Sequence, residues 1–211
     1  MTSPLTARQA GIASIIAATL ILVSQLSQLA LPFAFPESFW IATQSLRMGL
    51  ALAAMFALQV ALTGLYARQA HATGRLALIG YLTASLGTLL VAGDWWYEAF
   101  IGPALRAEAP EILATAPGGS ILIGAALTTV AFAAGWLLFG LASVRANVLP
   151  RPAAVLMTLG GVVGILALIA PFQVTLAIAV GWLGLWLIGG TGDEDQTLGV
   201  SSPAPSRPAS P

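Results

Sequence analysis

The chain has 211 residues, of which 58% are hydrophobic and only 8% are charged, and its formal net charge is zero. A soluble domain has about 25% charged residues, so this composition excludes a water-facing surface over most of the chain. A neutral chain gives no electrostatic reason to expect a nucleic-acid partner. The absence of cysteine excludes disulfides and thiolate metal sites.

Long apolar runs predict six transmembrane helices. A helix needs about 20 apolar residues to cross a hydrocarbon core of about 30 Å, and several runs reach that length. The expected helices cover residues 8–31, 38–67, 75–101, 120–144, 152–170 and 172–188. We therefore expect an all-α integral membrane protein in which residues 1–189 form a bundle of six transmembrane helices.

Proline, glycine and polar residues separate these helices. Pro32 and Pro36 bracket a short loop, and residues 69–74 form a polar turn between the second and third helices. A longer loop covers residues 102–119. Residues 190–211 contain an acidic run followed by Ser, Pro and Ala, and they lack the apolar side chains that packing requires, so we expect a disordered tail.

The distribution of arginines predicts the orientation of the helices. Five of them flank one face of the six-helix arrangement: Arg8, Arg68, Arg75, Arg145 and Arg151. The positive-inside rule places this face, both termini and the tail in the cytoplasm. The expected location is the cell membrane, with the lipid bilayer as the first partner.

An acidic and aromatic stretch lies at the outer end of the third helix. Asp94 and Glu98 are one helical turn apart, and three aromatic residues stand between them. Carboxylates at the edge of a transmembrane helix are rare. Arg47 is about as far before the turn at 69–74 as Asp94 is after it, roughly 30 Å at 1.5 Å per residue. The two side chains are therefore expected to lie at the same depth and to be able to meet.

These residues predict a candidate polar site at the outer membrane boundary, formed by Arg47, Asp94, Glu98, Trp95, Trp96 and Tyr97. Arg47 would anchor an anion, the carboxylates would bind a cation or carry protons, and the aromatic residues would form the wall. The alternative is a structural ion pair between Arg47 and Asp94 beside ordinary interfacial aromatics. No cofactor or metal site is predicted, since the single histidine, His71, lies in a turn.

Gly160 and Gly164 on the fifth helix have the spacing that permits close helix packing. Their packing partner is either within this chain or in a second copy, so a homo-oligomer stays open. An offset of 76 residues aligns the hairpin of helices two and three with that of helices four and five. This alignment leaves an internal repeat open.

Three functional classes are compatible with these residues. The first is a non-enzymatic membrane protein that binds or transports a small solute or ion through the outward-facing polar site. The second is an accessory or assembly subunit that docks a partner membrane protein through its acidic and aromatic surface. The third is a membrane-embedded enzyme with Asp94 or Glu98 as general acid or base, although the chain shows no nucleophile–base pair, metal set or cofactor motif.

Overall fold

The computed structural model describes residues 6–114, 118–164 and 173–199. Every element in these ranges is helical, as the composition predicts. The elements are α1 (Ala7–Ala34), α2 (Glu37–Ala42), α3 (Gln44–Trp96), a π-helical turn (Tyr97–Ile101), α4 (Gly102–Glu108), α5 (Pro110–Ala114), α6 (Gly119–Ala146), α7 (Arg151–Gly164) and α8 (Val174–Gly199).

The longest element, α3, is a hairpin of two helical arms. Gly74 has φ +59° and ψ −150°, a backbone conformation that a residue without a Cβ adopts at low cost, and the chain reverses there. Tyr66 and Tyr81, on opposite sides of Gly74, stack with 4.4 Å between their ring centroids. The first arm of α3 is residues 44–73, and the second arm is residues 75–96.

Successive helices pack against each other, and the last helix packs back on the first. The hairpin α3 contacts α1 and α6, α6 contacts α7, α7 contacts α8, and α8 contacts α1. Glycines permit the closest approaches. A Cβ added at Gly64 would lie 2.2 Å from the Cβ of Ala10, and one added at Gly184 would lie 2.8 Å from the carbonyl oxygen of Gly11. Small residues at helix crossings are typical of helices packed in membranes.

Large apolar side chains fill the interior of this arrangement. Those that are fully buried include Met55, Leu58, Leu62, Phe132, Trp136, Phe139 and Met157. The Trp136 ring meets the Phe139 ring edge-on at 6.3 Å between centroids, and its Nε1 donates a hydrogen bond to Thr88 Oγ1 over 3.3 Å. Within the described helices, the centre is therefore a packed core.

Among the described residues, three helical stretches are long and apolar enough to cross a membrane: Ala7–Ala34, Gln44–Glu108 and Gly119–Ala146. The middle stretch contains the reversal at Gly74 and so comprises both arms of α3. The apolar helices Arg151–Gly164 and Val174–Gly190 are shorter. These lengths and compositions are compatible with a membrane location.

Two boundaries in the first half differ from those expected. Helix α1 continues through Pro32 to Ala34, because a proline near a helix end removes only one backbone donor from the last turn. The second expected helix, residues 38–67, is divided at Thr43 into α2 and the first arm of α3. This division places residues of α2 beside the side chain of Arg47.

In the second half, the end of the fifth expected helix and the following turn fall in residues 165–172, outside the described residues. Helix α8 continues to Gly199, past the expected end at residue 188. The part of the expected disordered tail from residue 200 onward also lies outside the described ranges.

Gly160 and Gly164 pack against helices of their own chain. A Cβ at Gly160 would lie 3.0 Å from the Cβ of Leu176 in α8, and one at Gly164 would lie 3.5 Å from Cα of Ala133 in α6. The predicted close packing is therefore present. The sequence left open whether these glycines pack within the chain or against a second copy, and in the structure they pack within the chain.

Candidate functional site

Arg47 is held by residues that immediately precede it in the chain. Its side chain is only 4% exposed. Its Nη2 donates to the carbonyl oxygen of Trp40 over 2.7 Å, and its Nε donates to Thr43 Oγ1 over 3.3 Å. Its guanidinium carbon lies 3.4 Å from the centroid of the Trp40 ring, where the negative face of the ring attracts a cation.

The expected meeting of Arg47 and Asp94 does not occur. The break at Thr43 brings a carbonyl oxygen and an aromatic face from α2 within reach of the guanidinium, and these local groups take the place of a carboxylate. Arg47 Nη1 is buried without a hydrogen-bond partner among the described residues. A structural ion pair between Arg47 and Asp94 therefore does not account for these two charges.

Glu98 is joined to a second arginine through a glutamine. Gln44 Nε2 donates to Glu98 Oε2 over 2.9 Å, and Arg106 Nη1 donates to Gln44 Oε1. The Gln44 side chain is 8% exposed, so its amide connects α4 to the π-helical turn at a largely buried position. One oxygen of Glu98 is engaged in this network. The same side chain also borders a groove between the second arm of α3 and helix α6.

The three aromatic residues between the carboxylates point in different directions. Trp95 packs against the hydrophobic core, Trp96 is 51% exposed and lies beside Phe100 with 6.0 Å between ring centroids, and Tyr97 borders the groove. Consecutive residues of a helix are separated by about 100° around its axis. Three in a row therefore cannot line one wall, and only Tyr97 takes the predicted position.

The second arm of α3 and helix α6 pack tightly along part of their length and separate beyond it. A Cβ added at Gly135 would lie 2.2 Å from the backbone nitrogen of Ala84. By contrast, a Cβ added at Gly93 or Gly124 would meet no atom within 4 Å. The two helices thus diverge towards the end that carries the acidic residues.

The divergence leaves a groove of about 750 Å³. This volume falls in the range of about 300–1,000 Å³ that is common for small-molecule sites. Its polar lining consists of Asp94, Glu98, Tyr97 and Thr128. Its apolar lining includes Leu89, Leu90, Ile121 and Leu127.

Asp94 is exposed on the groove and makes no hydrogen bond or ion pair with any residue that the structure describes. Arg47 is turned towards Trp40, and Arg106 reaches Gln44 instead. A carboxylate flanked by apolar helices has little water to stabilise its charge. Asp94 is therefore available to a positively charged group from outside the chain.

Several residues of this region were not among the predicted site residues. Gln44 lies within the second expected helix and Arg106 within the expected loop at residues 102–119, and neither position reveals that Arg106 reaches the start of the first arm of α3. The α6 side of the groove was also missed, since Gly124 and Thr128 sit in an apolar run without a distinguishing pattern. The start of α6 lies opposite Asp94 only because Gly135 lets α6 pack closely on the second arm of α3.

Comparisons with protein-family models, curated proteins and solved structures find no match to this chain.

Proposed function

We propose that this chain is a non-enzymatic, multi-pass integral membrane protein that binds a small, positively charged solute in the groove beside Asp94. The proposal rests on the carboxylate of Asp94, which has no partner among the residues that the structure describes. A second carboxylate, Glu98, and the phenol ring of Tyr97 border the same cavity. Carboxylates and an aromatic face are the groups that attract an ammonium ion.

The proposal includes six membrane spans with both termini in the cytoplasm of a cell-membrane protein. Arg68 and Arg75 flank the reversal at Gly74, and Arg145 and Arg151 flank the turn from α6 to α7. Arg8 lies in the first turn of α1 at the same end, since Gly64 of the first arm packs on Ala10. Five arginines at one end of a bundle favour a cytoplasmic position for that end, which puts the groove at the outer boundary.

Binding is favoured over transport through the bundle by the packing of the interior. Trp136 and its neighbours fill the centre of the described helices, whereas the groove lies between two helices at the side. A solute bound there would contact the outer half of α6 and the second arm of α3. The proposed role is thus recognition at the outer surface of the membrane.

An accessory-subunit role is the second candidate, and one observation favours it. Trp96 and Phe100 form an exposed aromatic pair, with 51% and 57% of each side chain accessible, next to the acidic groove. Such a pair can dock a partner membrane protein. Exposed aromatics are also common at the membrane interface, and they need no partner there. Co-purification of a second protein that is lost in Trp96→Ala would favour this role.

Asp94→Asn should abolish the stabilisation of the protein by a small ammonium ion. The test measures the thermal unfolding of purified protein in nanodiscs with tetramethylammonium chloride, using equal sodium chloride to match ionic strength. A ligand at ten times its Kd stabilises the folded state by about 1.4 kcal/mol. Wild type should show this stabilisation, and Asp94→Asn should lose it because the unpaired carboxylate is gone.

Glu108→Gln is the matched control, because it removes an exposed carboxylate outside the groove. This variant should respond to tetramethylammonium as wild type does. An equal response to sodium chloride, or a response that survives in Asp94→Asn, would refute the proposed binding site.

A further inference from the structure

The groove is open at the side of the bundle, on the face that a membrane protein turns to lipid. Leu89 and Leu127 line it with 52% and 61% of their side chains exposed, and Ile121 is 63% exposed. Gly93 and Gly124 contribute no side chains to its walls, and a Cβ added at either position would meet no atom within 4 Å. A molecule dissolved in the bilayer can therefore reach the groove without passing through the bundle.

Along the second arm of α3, the carboxylates and the leucines that line the groove lie at different depths. Asp94 and Glu98 are towards the end of the second arm and the π-helical turn, whereas Leu89 lies earlier in the arm, closer to its tight packing with α6. From Leu89 to Glu98 the helix rises by about 14 Å. Carboxylates at one end and leucines at the other match a molecule with a cationic head and an apolar tail.

The size of the groove also favours a ligand with a tail. A cavity of about 750 Å³ is of the size that holds a drug-sized molecule, so a bare ammonium ion beside Asp94 would leave its leucine-lined part empty. An alkyl chain extending from the ammonium group would contact Leu89, Leu90 and Leu127. Its direction would follow that of the surrounding lipid, with the head at the boundary and the tail in the core.

We propose that the groove binds a single-chain cationic amphiphile, which enters sideways from the outer leaflet and places its ammonium group at Asp94 and its alkyl chain between the second arm of α3 and α6. This inference rests on the proposed function and specifies the class of its ligand. Asp94 supplies the charge recognition. Leu89, Leu90 and Leu127 supply the recognition of the chain.

The test compares tetramethylammonium, hexyltrimethylammonium and decyltrimethylammonium in nanodiscs of phosphatidylglycerol, a host lipid without an ammonium group. Binding is followed by tryptophan fluorescence, with decanol as a neutral amphiphile that enters the same discs. Affinity for wild type should rise with chain length and should fall in Asp94→Asn for every ammonium compound. All variants are measured in the same discs, so partitioning into the lipid cancels from their ratios.

Leu89→Phe separates the contribution of the alkyl chain from that of the charge. The larger ring would lie at the leucine end of the groove, about 7–8 Å along the helix from Asp94, so affinity for decyltrimethylammonium should fall about tenfold. Affinity for tetramethylammonium should stay close to that of wild type. Leu86→Phe is the matched control, because Leu86 is exposed to a similar extent but does not line the groove, and it should change neither affinity.

The outcomes distinguish the two proposals. If all three ammonium compounds bind equally well and Leu89→Phe affects none of them, the amphiphile inference is wrong while the cation site stands. If none binds, both are wrong. If decanol competes as well as decyltrimethylammonium, the groove holds an uncharged lipid and the inference is overturned. If cross-linking detects a dimer in wild type and Leu89→Phe dissociates it, the groove holds a second copy and the inference is likewise overturned.

Discussion

Gly135→Ala is expected to lower the free energy of unfolding by about 1–3 kcal/mol, the usual cost of an added group in a packed interface. The new Cβ would lie 2.2 Å from the backbone nitrogen of Ala84 and 2.3 Å from its Cα. Backbone atoms cannot turn away as a side chain can, so the second arm of α3 and α6 must move apart. The loss can be measured as a decrease in thermal stability in detergent or nanodiscs.

Gly124→Ala on the same helix is the matched control, because its Cβ would meet no atom within 4 Å. There, the replacement of glycine within a helix should stabilise the protein by about 0.5–1 kcal/mol. The two substitutions are chemically identical and are expected to have opposite signs. Equal effects at the two positions would contradict the tight packing of α3 on α6 and, with it, the divergence that forms the groove.

Trp136→Ala should have the largest effect of the substitutions considered, a loss of about 3–5 kcal/mol. The Trp136 side chain is fully buried, contacts Phe132 and Phe139, and donates its Nε1 hydrogen to Thr88. Removal of the ring leaves a large cavity in the middle of the core and an unpaired hydroxyl on the second arm. Stability against denaturant or heat is the measurement.

Trp182→Ala is the control for this change, because Trp182 is 44% exposed on α8. A surface substitution usually changes stability by no more than about 0.5 kcal/mol. Trp136→Phe should fall between the two, since it retains an aromatic ring in the core and loses the hydrogen bond to Thr88. A near-neutral Trp136→Ala would show that the centre of the bundle is not packed as described.

The helical class and the main reversals were predictable because they depend on local properties of the chain. Apolar length predicted the long helices, and the polar run that ends at Gly74 predicted the turn. The break at Thr43 was missed because residues on both sides of it favour helix. The internal repeat stays a prediction. The two turns that it would align, at Gly74 and at Asn147, each contain a residue with positive φ, which is compatible with a repeat.

The candidate site was predicted in part. Depth along the helices correctly indicated that Asp94 and Glu98 lie near one end of the bundle, but depth does not specify the direction of a side chain around its helix. Arg47 therefore turned out to contact Trp40, and Trp95 to face the core. Glu98 accepts a hydrogen bond from Gln44, which is 54 residues away in the chain. A local sequence pattern does not predict such a long-range contact.

The rate of thiol labelling at the groove tests directly whether it faces outward and attracts positive charge. The chain has no cysteine, so Ile121→Cys introduces a single thiol at an exposed groove position. Two membrane-impermeant thiosulfonate reagents, one with a trimethylammonium group and one with a sulfonate group, are added outside intact cells. Ala67→Cys, at an exposed position near the reversal at Gly74, reports the opposite end.

If the groove faces outward, the thiol at position 121 should react from outside and the one at position 67 should not. The cationic reagent should react faster than the anionic one by about tenfold, because a cleft lined by carboxylates concentrates cations. Adding Asp94→Asn should remove most of that preference. Equal rates for the two reagents at position 121, or labelling from outside at position 67 alone, would contradict an outward-facing groove that recognises positive charge.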